Sequence, residues 1–134
     1  MRIIIIDDDE VFQFTTKRLL ERSGMKQEFM NSFFNAEDGL DYCKEMPAKN
    51  PGKTLIFLDI NLPGMDGWAF LEAWQQLPVA HNPNVFLFMI SSSIHKEDRD
   101  RALTTDVVRD YYSKPLTLDA IKQLLAKTQV SDNT

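Results

Sequence analysis

Acidic side chains directly follow two strongly apolar segments of the chain. Asp7–Asp9 come after Ile3–Ile6. Asp59 likewise comes after the apolar run Leu55–Leu58. Runs of this kind are typical of strands that are buried on both faces of a parallel sheet. Burying a carboxylate at such a strand end is unfavourable unless a cation shares the space. The pattern therefore predicts a charged site at the carboxyl edge of a sheet, where open α/β sheets bind ligands.

The acids of the two segments are expected to lie close together, because both strands are predicted at the centre of the sheet. Asp7, Asp8 and Asp59 would then repel one another and favour a bound divalent cation. Mg²⁺ suits such a site, because it prefers oxygen ligands and usually binds through one or two carboxylates together with a phosphate oxygen. The alternative is that these aspartates only cap the turns or helices that follow the strands.

Hydroxyl groups and a lysine are predicted at the same edge of the sheet. Ser91–Ser93 end the fourth apolar run, and Lys114 follows the fifth. A lysine at this position can reach the acids and neutralise phosphoryl oxygens. Each feature alone also has an ordinary explanation, since serines are common in turns and a strand-end lysine is often only solvated. Pro115 can fix the geometry of the turn after Lys114, including through a cis peptide bond.

Strand and helix patterns alternate five times along the chain. Right-handed crossovers between parallel strands then place helices on both faces of one sheet, which predicts a doubly wound α/β domain. We assign residues 1–129 to this domain and residues 130–134 to a short C-terminal tail. The predicted strands are Ile3–Ile6, Glu28–Phe34, Thr54–Leu58, Val85–Ile90 and Val108–Ser113; the predicted helices are Glu10–Ser23, with Val11 facing inward, Asp38–Met46, Gly67–Leu77, Lys96–Thr105 and a last helix capped by Thr117.

Composition excludes several classes of protein. The 134 residues carry a formal net charge of -5, which gives no basic surface for nucleic acid or anionic lipid. No apolar stretch approaches the roughly 18 residues of a membrane span, and the first residues do not have the pattern of a signal peptide. The single cysteine, Cys43, excludes an internal disulfide and is more typical of a core residue than of a reactive thiol. We therefore expect a cytoplasmic protein that binds neither membranes nor nucleic acid.

Taken together, these segments resemble the receiver domain of two-component response regulators. The resemblance extends over roughly Arg2–Lys127 and implies a flavodoxin-like receiver fold with a five-stranded parallel sheet, here as a single-domain response regulator. The matching motifs are Ile6–Asp9, Leu58–Gly67, Met89–Ser92 and Tyr111–Pro115.

The resemblance implies a phosphoacceptor and a metal site. Asp59 matches the aspartate that accepts a phosphoryl group from a phosphohistidine donor. Asp7 and Asp8 match the acidic pair that holds Mg²⁺, and Asp59 and the backbone carbonyl of Asn61 complete the protein ligands. Mn²⁺ is expected to substitute. Such a protein is not a conventional enzyme, but it catalyses its own phosphorylation and a slow autodephosphorylation.

The resemblance also implies how the phosphoryl group is sensed. Ser91 and Lys114 match the residues that contact this group, and Asn61 and Ser93 match positions that tune its loss. Ser91 and Tyr111 match the switch residues, with Tyr111 turning inward as Ser91 moves; the alternative is a half-buried tyrosine that does not move. The polar helix Lys96–Thr105 has few apolar anchors, which suits a movable element, although a merely solvated helix has the same composition.

The expected partners follow from the same resemblance. A sensor histidine kinase or a histidine phosphotransfer protein would supply the phosphoryl group. A downstream protein would bind the fourth and fifth helices and the strand between them, and the chain would be a monomer or a phosphorylation-dependent dimer. One alternative is a docking module that needs no phosphate. Another is an aspartyl-phosphate phosphatase, but such enzymes typically have a second acid where this chain has Asn61.

Overall fold

The computed structural model describes residues 1–92 and 95–129. Its five strands form one parallel sheet in the order β2-β1-β3-β4-β5, which confirms the predicted doubly wound α/β fold. Short 3-10 helices lie at Gln27–Phe29 and Pro78–His81. The strands are β1 (Arg2–Ile6), β2 (Met30–Phe33), β3 (Thr54–Asp59), β4 (Val85–Ser91) and β5 (Val108–Ser113), and the helices are α1 (Glu10–Arg22), α2 (Ala36–Lys44), α3 (Gly67–Trp74), α4 (Lys96–Leu103) and α5 (Leu118–Lys127).

The two strands that carry the acids are neighbours. β1 and β3 pair in parallel with Ile6 opposite Leu58, so the residues that follow both strands leave the sheet at the same edge. Every residue of β3 is buried, and so is Ile3–Ile6. This burial explains why the chain has continuous apolar runs here instead of an alternating pattern.

Side chains of the sheet pack into one hydrophobic core on each face. Ile4 and Ile6 lie in the core that also includes α2 and α3, whereas Ile3 and Ile5 lie in the core formed with α1 and α5. The alternation follows from the period of two along a strand. Cys43 is fully buried in the first core, as predicted, and burial raises the pKa of its thiol to about 12.

Several local expectations need correction. Val11 is 70% exposed, because α1 turns Phe12, Gln13 and Thr16 toward the sheet instead. β2 begins only at Met30, since the preceding residues form a 3-10 helix. α2 begins earlier than predicted, at Ala36, where the side chain of Asn35 caps it by accepting a hydrogen bond from the backbone N–H of Asp38.

Within the described part of the chain, none of the helices combines the length and the apolar character that a bilayer crossing requires. The predicted tail, residues 130–134, and Ser93 lie outside the described residues.

Candidate functional site

Three carboxylates meet at the carboxyl edge of the sheet. Oxygen atoms of Asp7, Asp8 and Asp59 all lie within 4.8 Å of one another. Asp7 and Asp59 are buried and Asp8 is exposed, so the cluster opens to solvent on one side. The pairing of β1 with β3 brings these acids together although about fifty residues separate them in the chain.

Lys114 enters this cluster from the end of β5. Its Nζ lies 2.7 Å from Oδ2 of Asp7 and 3.4 Å from Oδ2 of Asp59. Its backbone N–H donates to the carbonyl oxygen of Ser91 at 2.8 Å, which ties the residue to the end of β4. The peptide bond to Pro115 is cis. The ammonium group also lies 4.6 Å from the ring centroid of Phe12, a distance that permits a cation–π contact.

Burial and charge shift the protonation equilibria of the cluster. The pKa of Asp7 is raised to about 6, mainly by burial and also by the nearby charge of Asp59, whereas the hydrogen bonds from Lys114 and from the backbone N–H of Asp9 act to lower it. For Lys114, burial acts to lower the pKa, but the hydrogen bond and the charge of Asp7, together with Asp59, outweigh it, and the pKa is raised. The site therefore favours additional positive charge.

The donor set of this cluster fits Mg²⁺. Three carboxylates supply hard oxygen ligands close to one another, and Mg²⁺ prefers such ligands and uses few of them. Mn²⁺ accepts the same ligand type. The loop after β3 folds back onto the cluster, because the backbone N–H of Asn61 donates to Oδ1 of Asp59 at 3.1 Å. Asp7, Asp8 and Asp59 are thus the side chains that would hold the ion, and the backbone carbonyl of Asn61 stays a predicted ligand.

Gly67 packs directly against the backbone of the central acid. A Cβ atom at this position would lie 2.6 Å from the carbonyl oxygen of Asp59 and 2.7 Å from Cα of Ile60. The N–H of Gly67 donates to the carbonyl oxygen of Ile60 at 2.8 Å, and the side chain of Asp66 caps α3 by accepting a hydrogen bond from the N–H of Ala69. No role was predicted for Gly67, although it ends the motif Leu58–Gly67 and stands at a predicted helix start.

Ser91 and Tyr111 lie on the neighbouring strands β4 and β5. Ser91 is fully buried at the end of β4. Tyr111 is opposite Met89 in β5, and with 8% exposure it belongs to the hydrophobic core. The ring is therefore buried in this structure, not half-buried, and the switch role remains a prediction. Ser93, the second position expected to tune phosphoryl loss, is not among the described residues.

Gln13 is a site residue that sequence analysis missed. It is 3% exposed, and Nε2 of its side-chain amide lies within hydrogen-bond distance of the backbone carbonyl oxygens of Ile5, Asp7 and Phe33, which share its two N–H groups. Its signal in the sequence was a polar residue at an inward position of the amphipathic helix α1. Asp9 caps α1 by accepting hydrogen bonds from the N–H groups of Val11 and Phe12.

An apolar groove lies beside the acidic cluster. Its volume is about 660 Å³, and α1 and the residues after β5 line it. Val11 and Phe14 are 70% and 61% exposed, although both are large apolar residues. Lys114 lines the groove as well as the acidic cluster, so the two features are continuous.

Comparison with known proteins gives consistent results. The family model described as "Response regulator receiver domain" matches residues 3–126. Transcriptional regulatory protein HprR of Escherichia coli (strain K12) is 32% identical over 129 residues, which are 96% of this chain. The chain spans 50% of that relative's length. The crystal structure of a response regulator receiver protein from Dyadobacter fermentans DSM 18053 is 28% identical, with a TM-score of 0.81 over 96% of this chain and 97% of that one. A two component response regulator from Cytophaga hutchinsonii is 26% identical, with a TM-score of 0.80 over 95% of each chain.

Proposed function

The chain belongs to the family of response regulator receiver domains of two-component signalling, and we propose that it is switched by phosphorylation of Asp59. A phosphohistidine of a sensor kinase or a histidine phosphotransfer protein would be the donor. The observation that carries this proposal is the position of the Lys114 ammonium group, within 3.4 Å of Asp59 and 2.7 Å of Asp7 in a cluster of three carboxylates.

The proposed reaction transfers one phosphoryl group. The bond from phosphorus to the donor histidine nitrogen breaks as a bond to a carboxylate oxygen of Asp59 forms, and the imidazole leaves with the electron pair. When bound, Mg²⁺ supplies positive charge that offsets the negative charge of the phosphoryl oxygens. Lys114 supplies a second positive charge from the end of β5, at the same edge of the sheet, and the N–H of Asn61 orients the acceptor carboxylate.

Loss of the phosphoryl group would be a second transfer, in which a water oxygen bonds to phosphorus, the bond from phosphorus to the Asp59 oxygen breaks, and inorganic phosphate and the free carboxylate result. We propose that Ser91 and Lys114 contact the phosphoryl group during its lifetime. Their positions support this, because Ser91 ends β4 and the backbone N–H of Lys114 donates to its carbonyl oxygen. The group that gains and then loses the phosphoryl group is a side chain of the protein itself, so the protein acts upon itself.

The output surface proposed for a downstream protein is α4–β5–α5. Among the described residues of α4, Ala102 is the buried one, and Leu103 is 45% exposed. The ring of Trp68 lies under the guanidinium group of Arg101 at 4.1 Å, so part of the attachment of α4 is a surface contact. A helix with so little buried apolar surface can shift at a small energetic cost. Phosphorylation would shift the equilibrium between two positions of α4 only as far as one position interacts more favourably with the phosphoryl group than the other does.

The apolar groove beside the acids is the proposed docking site for the phosphohistidine protein. A donor protein must place its histidine next to Asp59, and the groove adjoins the same lysine that contacts this acid. Exposed Val11 and Phe14 supply apolar area at this edge, which is typical of a protein-binding surface. The groove thus offers contacts that a small phosphodonor does not need.

The direct test is phosphorylation by a small phosphodonor. Incubation with acetyl phosphate and Mg²⁺ is expected to add one phosphoryl group, detected by intact mass, and the Asp59→Asn variant and a chelator should each prevent it. No adduct on the parent protein would favour the phosphate-independent docking module. Sustained turnover of a phosphate ester would instead favour a phosphatase.

A further inference from the structure

We propose that Gln13 is a positioning residue for the metal site, which it serves by holding the peptide group between Asp7 and Asp8. This inference rests on the proposed function, since it concerns the affinity of the acidic cluster for Mg²⁺. Gln13 itself contacts neither the phosphoryl group nor the ion; it acts through the backbone that carries the two acids.

The acidic pair lies beyond the regular part of the sheet. The ladder of β1 ends at Ile6, which pairs with Phe33 on one side and Leu58 on the other. Past this point the N–H of Asp7 still donates to the carbonyl oxygen of Phe33, at 3.0 Å. The carbonyl oxygen of Asp7, which belongs to the peptide group joining it to Asp8, accepts a hydrogen bond from Nε2 of Gln13 at 3.1 Å. A side-chain hydrogen bond from Gln13 thus follows directly after the last backbone hydrogen bond between the two strands.

One amide group of Gln13 joins the ends of two strands. Nε2 lies 3.0 Å from the carbonyl oxygen of Ile5 in β1 and 3.0 Å from that of Phe33 in β2. With Asp7 as the third acceptor, the orientation of the amide is determined, because an oxygen turned toward three carbonyl groups would be repelled. The contacts join β1, β2 and α1 at the point where the chain turns toward Asp8.

Packing alone does not account for a glutamine at this position. Gln13 is 3% exposed, and its Oε1 atom is buried without a hydrogen-bond partner among the described residues. Leaving a buried acceptor unpaired is unfavourable. A methionine or leucine of similar volume would fill the same space without that cost. The donated hydrogen bonds are therefore the feature that distinguishes glutamine here.

The consequence concerns metal affinity. Mg²⁺ requires nearly ideal octahedral geometry, so its affinity depends on where the backbone holds each carboxylate. Removing a group that orients metal ligands typically lowers metal affinity by about 10–100-fold. We expect Gln13→Met to weaken Mg²⁺ binding by about ten-fold while the protein stays folded.

The test is a Mg²⁺ titration followed by two-dimensional ¹H–¹⁵N NMR, which reports binding without phosphorylation. The matched control is Thr16→Val, which changes a residue that is 1% exposed on the same face of α1. The Mg²⁺ dissociation constant should rise about ten-fold in Gln13→Met and stay close to the parent value in Thr16→Val. An unchanged constant in a folded Gln13→Met protein would refute the positioning role.

Failure of the proposed function gives a different result. In that case the parent protein itself would show no saturable response of the amides near Asp59. Gln13→Leu, which also removes the donor, replaces the methionine variant if that one does not fold. Unfolding of both variants, with Thr16→Val folded, would assign Gln13 to folding and would also overturn the positioning role.

Discussion

Nζ of Lys114 lies 2.7 Å from Oδ2 of Asp7, a carboxylate whose side chain is 1% exposed. The lysine therefore neutralises a buried acid before any phosphoryl group arrives. The same ammonium group lies 3.4 Å from Asp59, so it is already near the proposed acceptor. Stability and reactivity at this edge of the sheet are consequently coupled through one ion pair.

Removal of the Asp7 charge is expected to stabilise the protein in the absence of divalent cations. Burial raises the pKa of Asp7 from 3.8 to about 6, so the folded state binds more protons than the unfolded state between these values. The free energy of unfolding therefore falls as the pH rises through this range, and the loss is complete near neutral pH. We expect Asp7→Asn to raise it by about 1–3 kcal/mol at neutral pH.

Urea unfolding of the parent and Asp7→Asn proteins at neutral pH and again near pH 4 measures this effect. The difference should shrink at the lower pH, where Asp7 is largely protonated. Added Mg²⁺ should stabilise the parent more than the variant. Equal stability of the two proteins at both pH values would show that ionised Asp7 is not unfavourable in the folded state.

Loss of the lysine is expected to have the opposite effect on stability. Lys114→Met removes the positive charge next to Asp7 and Asp59 but keeps most of the side-chain volume. Removing one partner of a fully buried ion pair costs about 3–5 kcal/mol; since Lys114 is partly exposed, we expect about 1–3 kcal/mol. Unfolding measurements near neutral pH test this, and Lys114→Met combined with Asp7→Asn should recover much of the loss.

Any substitution at Gly67 is expected to displace the acceptor aspartate. A Cβ atom there would meet backbone atoms of Asp59 and Ile60, which cannot move away as a flexible side chain can. We expect Gly67→Ala to lower the free energy of unfolding by about 1–3 kcal/mol and to slow phosphorylation by acetyl phosphate. The comparison variant is Gly39→Ala, whose Cβ would instead meet the side chain of Ile6. Phosphorylation of Gly67→Ala at the parent rate would contradict this account.

The groove is expected to matter for a protein donor and not for a small one. Phe14 is 61% exposed and lines the groove, so Phe14→Ser removes apolar contact area without opening the core. We expect transfer from a phosphorylated histidine phosphotransfer protein to slow by about ten-fold, equivalent to about 1.4 kcal/mol, with no change for acetyl phosphate.

The control for the groove is Phe29→Ser, which changes another partly exposed phenylalanine that precedes β2 and does not line the groove. Both variants should be compared by single-turnover transfer of radiolabelled phosphate. Equal rates of protein-to-protein transfer in the parent and Phe14→Ser would place the donor elsewhere on the surface.

The amino-acid sequence by itself determined the fold class and the family. Continuous apolar runs are typical of strands buried on both faces, and the acids that follow Ile3–Ile6 and Leu55–Leu58 meet because those two strands are neighbours. Caps such as Asp66 and Thr117 were equally local, because a capping side chain bonds to backbone only a few residues away. These features depend only on residues that are close together in the sequence.

Only the tertiary structure decided the features that depend on how elements meet. Val11 faces solvent and Gln13 faces the sheet, because the rotation of α1 is set by packing and not by local periodicity. The three carbonyl groups near Gln13 belong to β1, to the residue that follows it and to β2, and Lys114 contacts Asp7 although more than a hundred residues separate them in the chain. Such contacts depend on strand register and helix phase, which no short stretch of sequence contains.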